Sequence, residues 1–79
     1  MEIELRLFGA FRDYLPEGRT GFFTKLKFPG EKTAAEIMAE LGLPPDAPRI
    51  IVVKGSHVDE SYPARDGDVI SVFPPLGGG

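Results

Sequence analysis

The sequence predicts an α+β domain, a mixed sheet of four to five strands packed on one main helix. Three observations carry this expectation: apolar and polar residues alternate with period two in residues 3 to 8 and again from 21 to 28, a capped stretch of helical periodicity follows them, and 79 residues admit only one core.

Residues 3 to 8 alternate Ile3, Leu5 and Leu7 against Glu4 and Arg6, the pattern of a half-buried strand that Gly9 ends. Phe11, Tyr14 and Leu15 are spaced for one or two helical turns before Pro16 and Gly18. Alternation resumes from Gly21 to Phe28, with Phe22, Thr24, Leu26 and Phe28 on one face and Phe23, Lys25 and Lys27 on the other. This second strand is expected antiparallel to the first. Thr33-Ala34-Ala35-Glu36 has the form of a capping box, in which Thr accepts the backbone N–H three residues on and Glu reaches back to the cap. Ala34, Ile37, Met38 and Leu41 then form one apolar helix face, and Gly42 supplies the stop before Pro44-Pro45.

The β-branched run Ile50 to Val53 suggests a central strand covered on both faces. Gly55-Ser56 is read as the hairpin turn into a short strand near His57-Val58, and Asp66-Gly67-Asp68 as the turn before a last strand, Val69 to Phe73. A hairpin, a helix and a final strand lying beside the first make the β-grasp arrangement, with strands one and five central and parallel.

Composition excludes several classes of function. A domain of this size buries only about 60% of the surface its unfolded chain exposes, which leaves little room for a deep catalytic cavity. Zero cysteines remove disulfides, thiolate catalysis and Cys-ligated metal. A net charge of -3 without a Lys/Arg run argues against nucleic acid as a partner. The longest apolar run, Ile50 to Val53, is far short of the ~20 residues of a membrane span, and Met1-Glu2 is no secretory leader. A cytoplasmic protein is the expectation.

The segment after the last strand is Pro74-Pro75-Leu76-Gly77-Gly78-Gly79. The division expected is a domain over residues 1–74 and a flexible Gly-rich tail over 75–79. Prolines cannot donate to a strand ladder and favour an extended exit, and glycines have no side chain to obstruct a narrow channel. Six residues at about 3.3 Å each reach roughly 20 Å, enough to carry the carboxylate of Gly79 into another protein's active site. In a chain without thiols, that unhindered carboxyl is the group on which sulfur could be carried. The plainer alternative is an inert Gly-rich end.

Asp66-Gly67-Asp68 leading through a hydrophobic strand into Phe73-Pro74-Pro75-Leu76-Gly77-Gly78-Gly79 resembles the small subunit of molybdopterin synthase, the MoaD branch of the ubiquitin-like sulfur carriers. Phe8-Gly9-Ala10-Phe11-Arg12-Asp13 is similar to that family's aromatic, small-residue, Arg-acidic segment, so the resemblance runs from end to end. The thiamine-pathway carrier, ThiS, also ends in Gly-Gly but usually lacks the Pro-Pro. Gly77 departs from the small residue common there and adds only flexibility.

The resemblance implies that Gly79 is adenylated by a ubiquitin-activating-type enzyme using ATP and converted to a thiocarboxylate with sulfur from a donor protein. The loaded tail would then enter the large subunit of molybdopterin synthase and give its sulfur to a pterin precursor. This chain would be a protein co-substrate that binds no cofactor or metal itself, with catalytic side chains on its partners. Gly77 and Gly78 would thread the channel, and Phe73, Pro74, Pro75 and Leu76 would seat the domain, with Phe8 and Arg12 as further contacts. Core packing is the competing role for Phe8 and Phe73, and the stronger reading for Phe22, Phe23, Met38 and Ile50 to Val53. His57 is read as a surface residue, and Asp66, Asp68, Thr33 and Glu36 as structural. The alternatives are a carrier for another acceptor (tRNA thiolation, thiamine thiazole or tungsten cofactor), a ubiquitin-like modifier joined to lysines, and a β-grasp binding module with an inert tail.

Overall fold

The computed structural model describes residues 1–16 and 21–75. In chain order these form β1 (Glu2–Leu7), a 3-10 helix (Gly9–Tyr14), β2 (Phe23–Lys27), α1 (Ala34–Glu40), β3 (Ile50–Val53), β4 (Ser56–Val58) and β5 (Val69–Phe73). The strands make one five-stranded sheet in the order β2-β1-β5-β3-β4. β1 and β5 are parallel, with Leu5 beside Ile70 and Leu7 beside Val72, and the other pairings are antiparallel. The β-grasp expectation, with its central parallel pair, holds.

Period-two alternation decides which side chains meet the helix. Ile3, Leu5 and Leu7 of β1, Ile70 and Val72 of β5, and Ile51 and Val53 of β3 are buried in one cluster with Ala34, Ile37 and Met38 of α1. α1 begins as its sequence specifies: the Glu36 amide donates to Thr33 Oγ1 at 3.2 Å, and the Thr33 amide donates to Glu36 Oε1 at 2.8 Å. Its end is a Schellman arrangement. Gly42, at φ 85°, donates to Ala39 O, and Leu43 donates back to Met38 O, bringing two buried side chains together.

The long connection from α1 to β3 is clasped to the loop after β4. The Arg49 side chain, only 3% exposed, donates through Nε and Nη2 to both oxygens of Glu60 and through Nη1 to the Pro44 carbonyl. The guanidinium is thus satisfied where it is buried, and it holds the Glu60 carboxyl below its ordinary pKa. The Asp66-Gly67-Asp68 turn is tied to β1 by hydrogen bonds from Glu2 N to Asp66 Oδ1 and from Gly67 N to Glu2 O, both at 2.7 Å. Buried Asp68 accepts from the Tyr62 hydroxyl at 2.7 Å and the Arg65 amide at 2.9 Å.

Four details depart from the sequence reading. β2 starts at Phe23 rather than Gly21, and Phe22 and Phe23 are 44% and 43% exposed instead of packed in the core. β3 is interior to the sheet but covered on one face only: Ile51 and Val53 are buried, Ile50 and Val52 half-buried. The reason is that one helix covers one face, and β-branched residues record fit to a pleated strand rather than burial on both sides. Finally, the β3–β4 turn is Lys54-Gly55, not Gly55-Ser56, since Val53 pairs with Ser56. Both turn residues have positive φ, 54° and 78°, as a two-residue type I′ hairpin requires. Gly18 lies outside the described residues.

Lys54 holds a left-handed conformation that costs a side-chain-bearing residue roughly 1–2 kcal/mol and that Asn tolerates better. Lys54→Asn should therefore raise unfolding stability by about 0.5–1 kcal/mol in urea titrations. The hydrogen bond to Asp68, with burial second, raises the Tyr62 pKa. Its stabilising effect is complete below about pH 10 and is lost as pH rises through the higher folded-state value. Tyr62→Phe should lower stability by about 1 kcal/mol at neutral pH and remove that part of the alkaline loss, as read by denaturation at a series of pH values.

Candidate functional site at the exit of the last strand

β1 and β5 run in the same direction, so the end of β5 and the residues after β1 emerge side by side. The Phe8 amide donates to Val72 O at 3.1 Å, carrying the ladder one residue past β1. This sets the Phe8 ring flat on the Phe73 ring, with centroids 4.4 Å apart and planes inclined by 4°. Both side chains are half-buried on the sheet face that α1 leaves open. They are neither core nor free surface. Leu7 N donates to Phe22 O, which brings the Phe22 ring to 6.0 Å from Phe8, and Phe23 meets Phe22 edge-on at 5.5 Å. The Arg6 guanidinium lies 6.0 Å from the Phe22 ring and bonds to Glu4 through Nε at 2.6 Å.

Beside the aromatic stack is a groove of about 380 Å³ lined by Phe8, Gly9, Ile50, Val52, His57, Phe73 and Pro74. Pro74 is therefore both the first residue of the exit and a wall of the groove. Its ring rests on the backbone of Gly9, where a Cβ would stand 2.7 Å from Pro74 Cγ. Gly9 has φ 59°, so this position is closed to a side chain by both backbone conformation and space. Arg12 donates from Nε to Gly21 O at 3.0 Å and so ties the 3-10 helix to the segment that carries Phe22.

Of the residues expected to act in docking, the structure brings Phe8, Phe73 and Pro74 together, sets Pro75 exposed beyond them and Arg12 at the edge of the aromatic cluster. Leu76, Gly77, Gly78 and Gly79 lie outside the described residues. Sequence reasoning missed the groove's other wall. Ile50 to Val53 are all apolar, so the run carries no alternation to show that Ile50 and Val52 face outward, and a turn set one residue late pairs His57 with Lys54 instead of Val52. Phe22 and Phe23 gave no signal of exposure, because adjacent aromatics at the start of a strand read equally as core. Among the described residues no cluster of three or more His, Asp or Glu could hold a metal, and no helix is long and apolar enough to cross a membrane. Lowered carboxyl pKa values occur at Glu36, held by the Thr33 amide, and at Asp59, held by the Ser61 hydroxyl. Such a surface can dock and present a chain end.

The sequence matches the ThiS family over residues 5–79. The chain therefore belongs to the ThiS family, within the ThiS/MoaD group of ubiquitin-like domains. A comparison with curated proteins finds no match. Among solved structures, the chain is similar to SAMP1 of Haloferax volcanii, with a TM-score of 0.72, 17% identity and all of both chains covered. It is also similar to a Pyrococcus furiosus protein described as molybdopterin converting factor subunit 1, at TM-score 0.71 and 22% identity over 96% of this chain and 99% of that one. A third likeness is to a complex of subunits 1 and 2 of molybdopterin-converting factor from Helicobacter pylori 26695, with a TM-score of 0.64, 25% identity and all of both chains covered.

Because Phe22 and Phe23 contribute little to the core, Phe22→Ser and Phe23→Ser should each change folding stability by less than about 0.5 kcal/mol. Leu5→Ala, in the same sheet but fully buried, should cost about 2–5 kcal/mol by the same denaturation measurement.

Proposed function

We propose that this chain is a sulfur carrier whose C-terminal glycine is converted to a thiocarboxylate, and that the sulfur serves molybdopterin biosynthesis. The observation that carries the reading is the Phe8–Phe73 stack running without a break into Pro74, on a chain whose sequence ends Gly77-Gly78-Gly79. An open aromatic face seats the domain, and a chain end without side chains enters a partner's active site.

A carboxylate is a poor electrophile until one oxygen is made a leaving group. In this reading a ubiquitin-activating-type enzyme joins the Gly79 carboxylate to the α-phosphate of ATP, releasing pyrophosphate. A persulfide on a donor protein then displaces AMP to form an acyl disulfide, and a second thiol of the donor cleaves its S–S bond, becoming the protein disulfide and releasing a C-terminal acyl thiolate, nucleophilic at neutral pH. The large subunit of molybdopterin synthase is the proposed acceptor complex. The Helicobacter complex, in which subunits 1 and 2 are joined, supports a pairing of this kind. The chain contributes a reactive atom, its reach and its orientation, so it acts as co-substrate rather than enzyme, with ATP and the catalytic side chains on the partners. Gly77 and Gly78 pass the channel, and Phe8, Phe73, Pro74, Pro75, Leu76 and Arg12 form the docking side. The cytoplasm is the compartment proposed for this chemistry.

A ubiquitin-like modifier shares the activation step and differs only in the nucleophile, a lysine amine in place of sulfur. The likeness to SAMP1 accords with both readings, because it lies in the fold. Intact mass of the untagged protein from its own cells, run beside a denaturing blot, separates them. The carrier should appear with one carboxyl oxygen replaced by sulfur at Gly79. Lysine-linked adducts alone would establish the modifier. Unchanged protein after incubation with activating enzyme, ATP and sulfur donor would overturn both. Gly78→Phe should keep the wild-type melting temperature and lose at least about tenfold in thiocarboxylate formed, since one misfit residue in the channel misplaces the reacting carboxyl.

A further inference from the structure

The groove beside the aromatic stack is lined chiefly by Phe8, Ile50, Val52, Phe73 and Pro74, all half-buried, so each keeps apolar surface in contact with water. A groove of this composition takes an apolar side chain. The chain itself brings one to its edge. Pro74 is part of the wall, and Leu76 follows two residues later, its Cα no more than about 7 Å from that of Pro74. On an extended chain, side chains return to the same side every second residue in a strand and every third in a polyproline helix. The first rule puts Leu76 on the side of Pro74, the second on the side of Phe73. Both of those residues line the groove, whereas Pro75 is exposed. The rest of the segment from 75 to 79 is that proline and three glycines, so Leu76 is its one aliphatic side chain without a ring.

We infer that the groove is the seat of the chain's own Leu76, which latches the exit segment to the open face of the free protein. Ordering it requires little, because both prolines have φ fixed by their rings and Pro74 already rests on Gly9, which leaves one residue to place. An apolar group from another molecule would have to give up freedom that a side chain two residues from the wall has already lost. Seated there, Leu76 closes the groove to any other apolar side chain. A protein that docks on the groove first draws the tail away, so docking and release of the chain end become one event. The latch belongs to the chain alone and holds whichever reaction Gly79 undergoes.

The test is NMR spectroscopy of the whole chain, methyl-labelled at Ile, Leu and Val, with no partner present. The Leu76 methyls should show nuclear Overhauser contacts to the Phe73 ring and to Ile50 or Val52. They should also resonate upfield of a solvated leucine, because the seat lies beside two stacked rings. Leu76→Ser should move the Ile50 and Val52 methyl resonances and leave those of Leu5 and Ile70, on the buried face, in place. Leu76→Met, apolar and of similar volume, should keep the Ile50 and Val52 resonances near their wild-type positions. Leu76 methyls at solvated positions without these contacts would overturn the inference, and so would Leu76→Ser leaving Ile50 and Val52 unmoved. The contacts should persist on dilution. Contacts that fade would assign the groove to the tail of a second copy and overturn the latch. These readouts are independent of the loading of Gly79, which intact mass decides separately.

Discussion

The parallel pairing of β1 with β5 is the constraint on which the other features depend. It joins the two ends of the sequence through the register Glu4–Val69 to Leu7–Val72 and brings together the side chains that are most completely buried. Parallel neighbours need a crossover, and α1 with the segments around it supplies one, so the helix covers the same face on which Leu5, Leu7, Ile70 and Val72 converge. Reversing either strand would leave no common end. Because both point the same way, the residues after β1 and those after β5 leave the sheet together, and Phe8 meets Phe73 there.

One helix on a five-stranded sheet leaves the opposite face open. That face is divided. Towards the start of β1 it carries charge, with Lys25 and Lys27 opposite Glu4 and Glu2 in the β1–β2 register. Towards the exit of β5 it carries Phe8, Phe22, Phe23 and Phe73 and the groove beside them. Apolar surface in a contiguous patch, rimmed by polar residues, is the usual mark of a docking face. Pro74 borders it, so this face adjoins the point where the chain leaves β5.

The elements set by local rules could be read directly. Thr33 and Glu36 specified the start of α1, Gly42 its end, the alternation in residues 3 to 8 the first central strand and the Asp66-Gly67-Asp68 turn the start of the other; each of these signals is confined to a few neighbouring residues. Errors arose where a local pattern has two tertiary outcomes. Four β-branched residues say "strand" whether one face or two are covered, so the outward side of β3 was lost. The Phe22-Phe23 pair says "apolar" without saying whether a helix lies over it. The turn was displaced because Lys54 adopts positive φ, a conformation that composition alone assigns to glycine. That displacement would pair His57 with Lys54 instead of Val52 and leaves it on the same face, so its exposure was legible although its neighbour was not. The close approach of Gly9 to Pro74 joins distant parts of the sequence and has no local signal at all.

The aromatic stack has a further consequence for the order in which the molecule comes into being. Phe8 and Phe73 lie near opposite ends of the sequence, and closing a loop of nearly the whole chain is an entropic cost met before the contact returns anything. Hairpins such as β1–β2 and β3–β4 can form early from neighbouring residues, yet neither contains the pair. The aromatic face therefore exists only in chains whose first and last strands have already closed on each other. A chain arrested halfway displays the residues without the surface, and a partner that grips the stacked rings grips completed molecules alone.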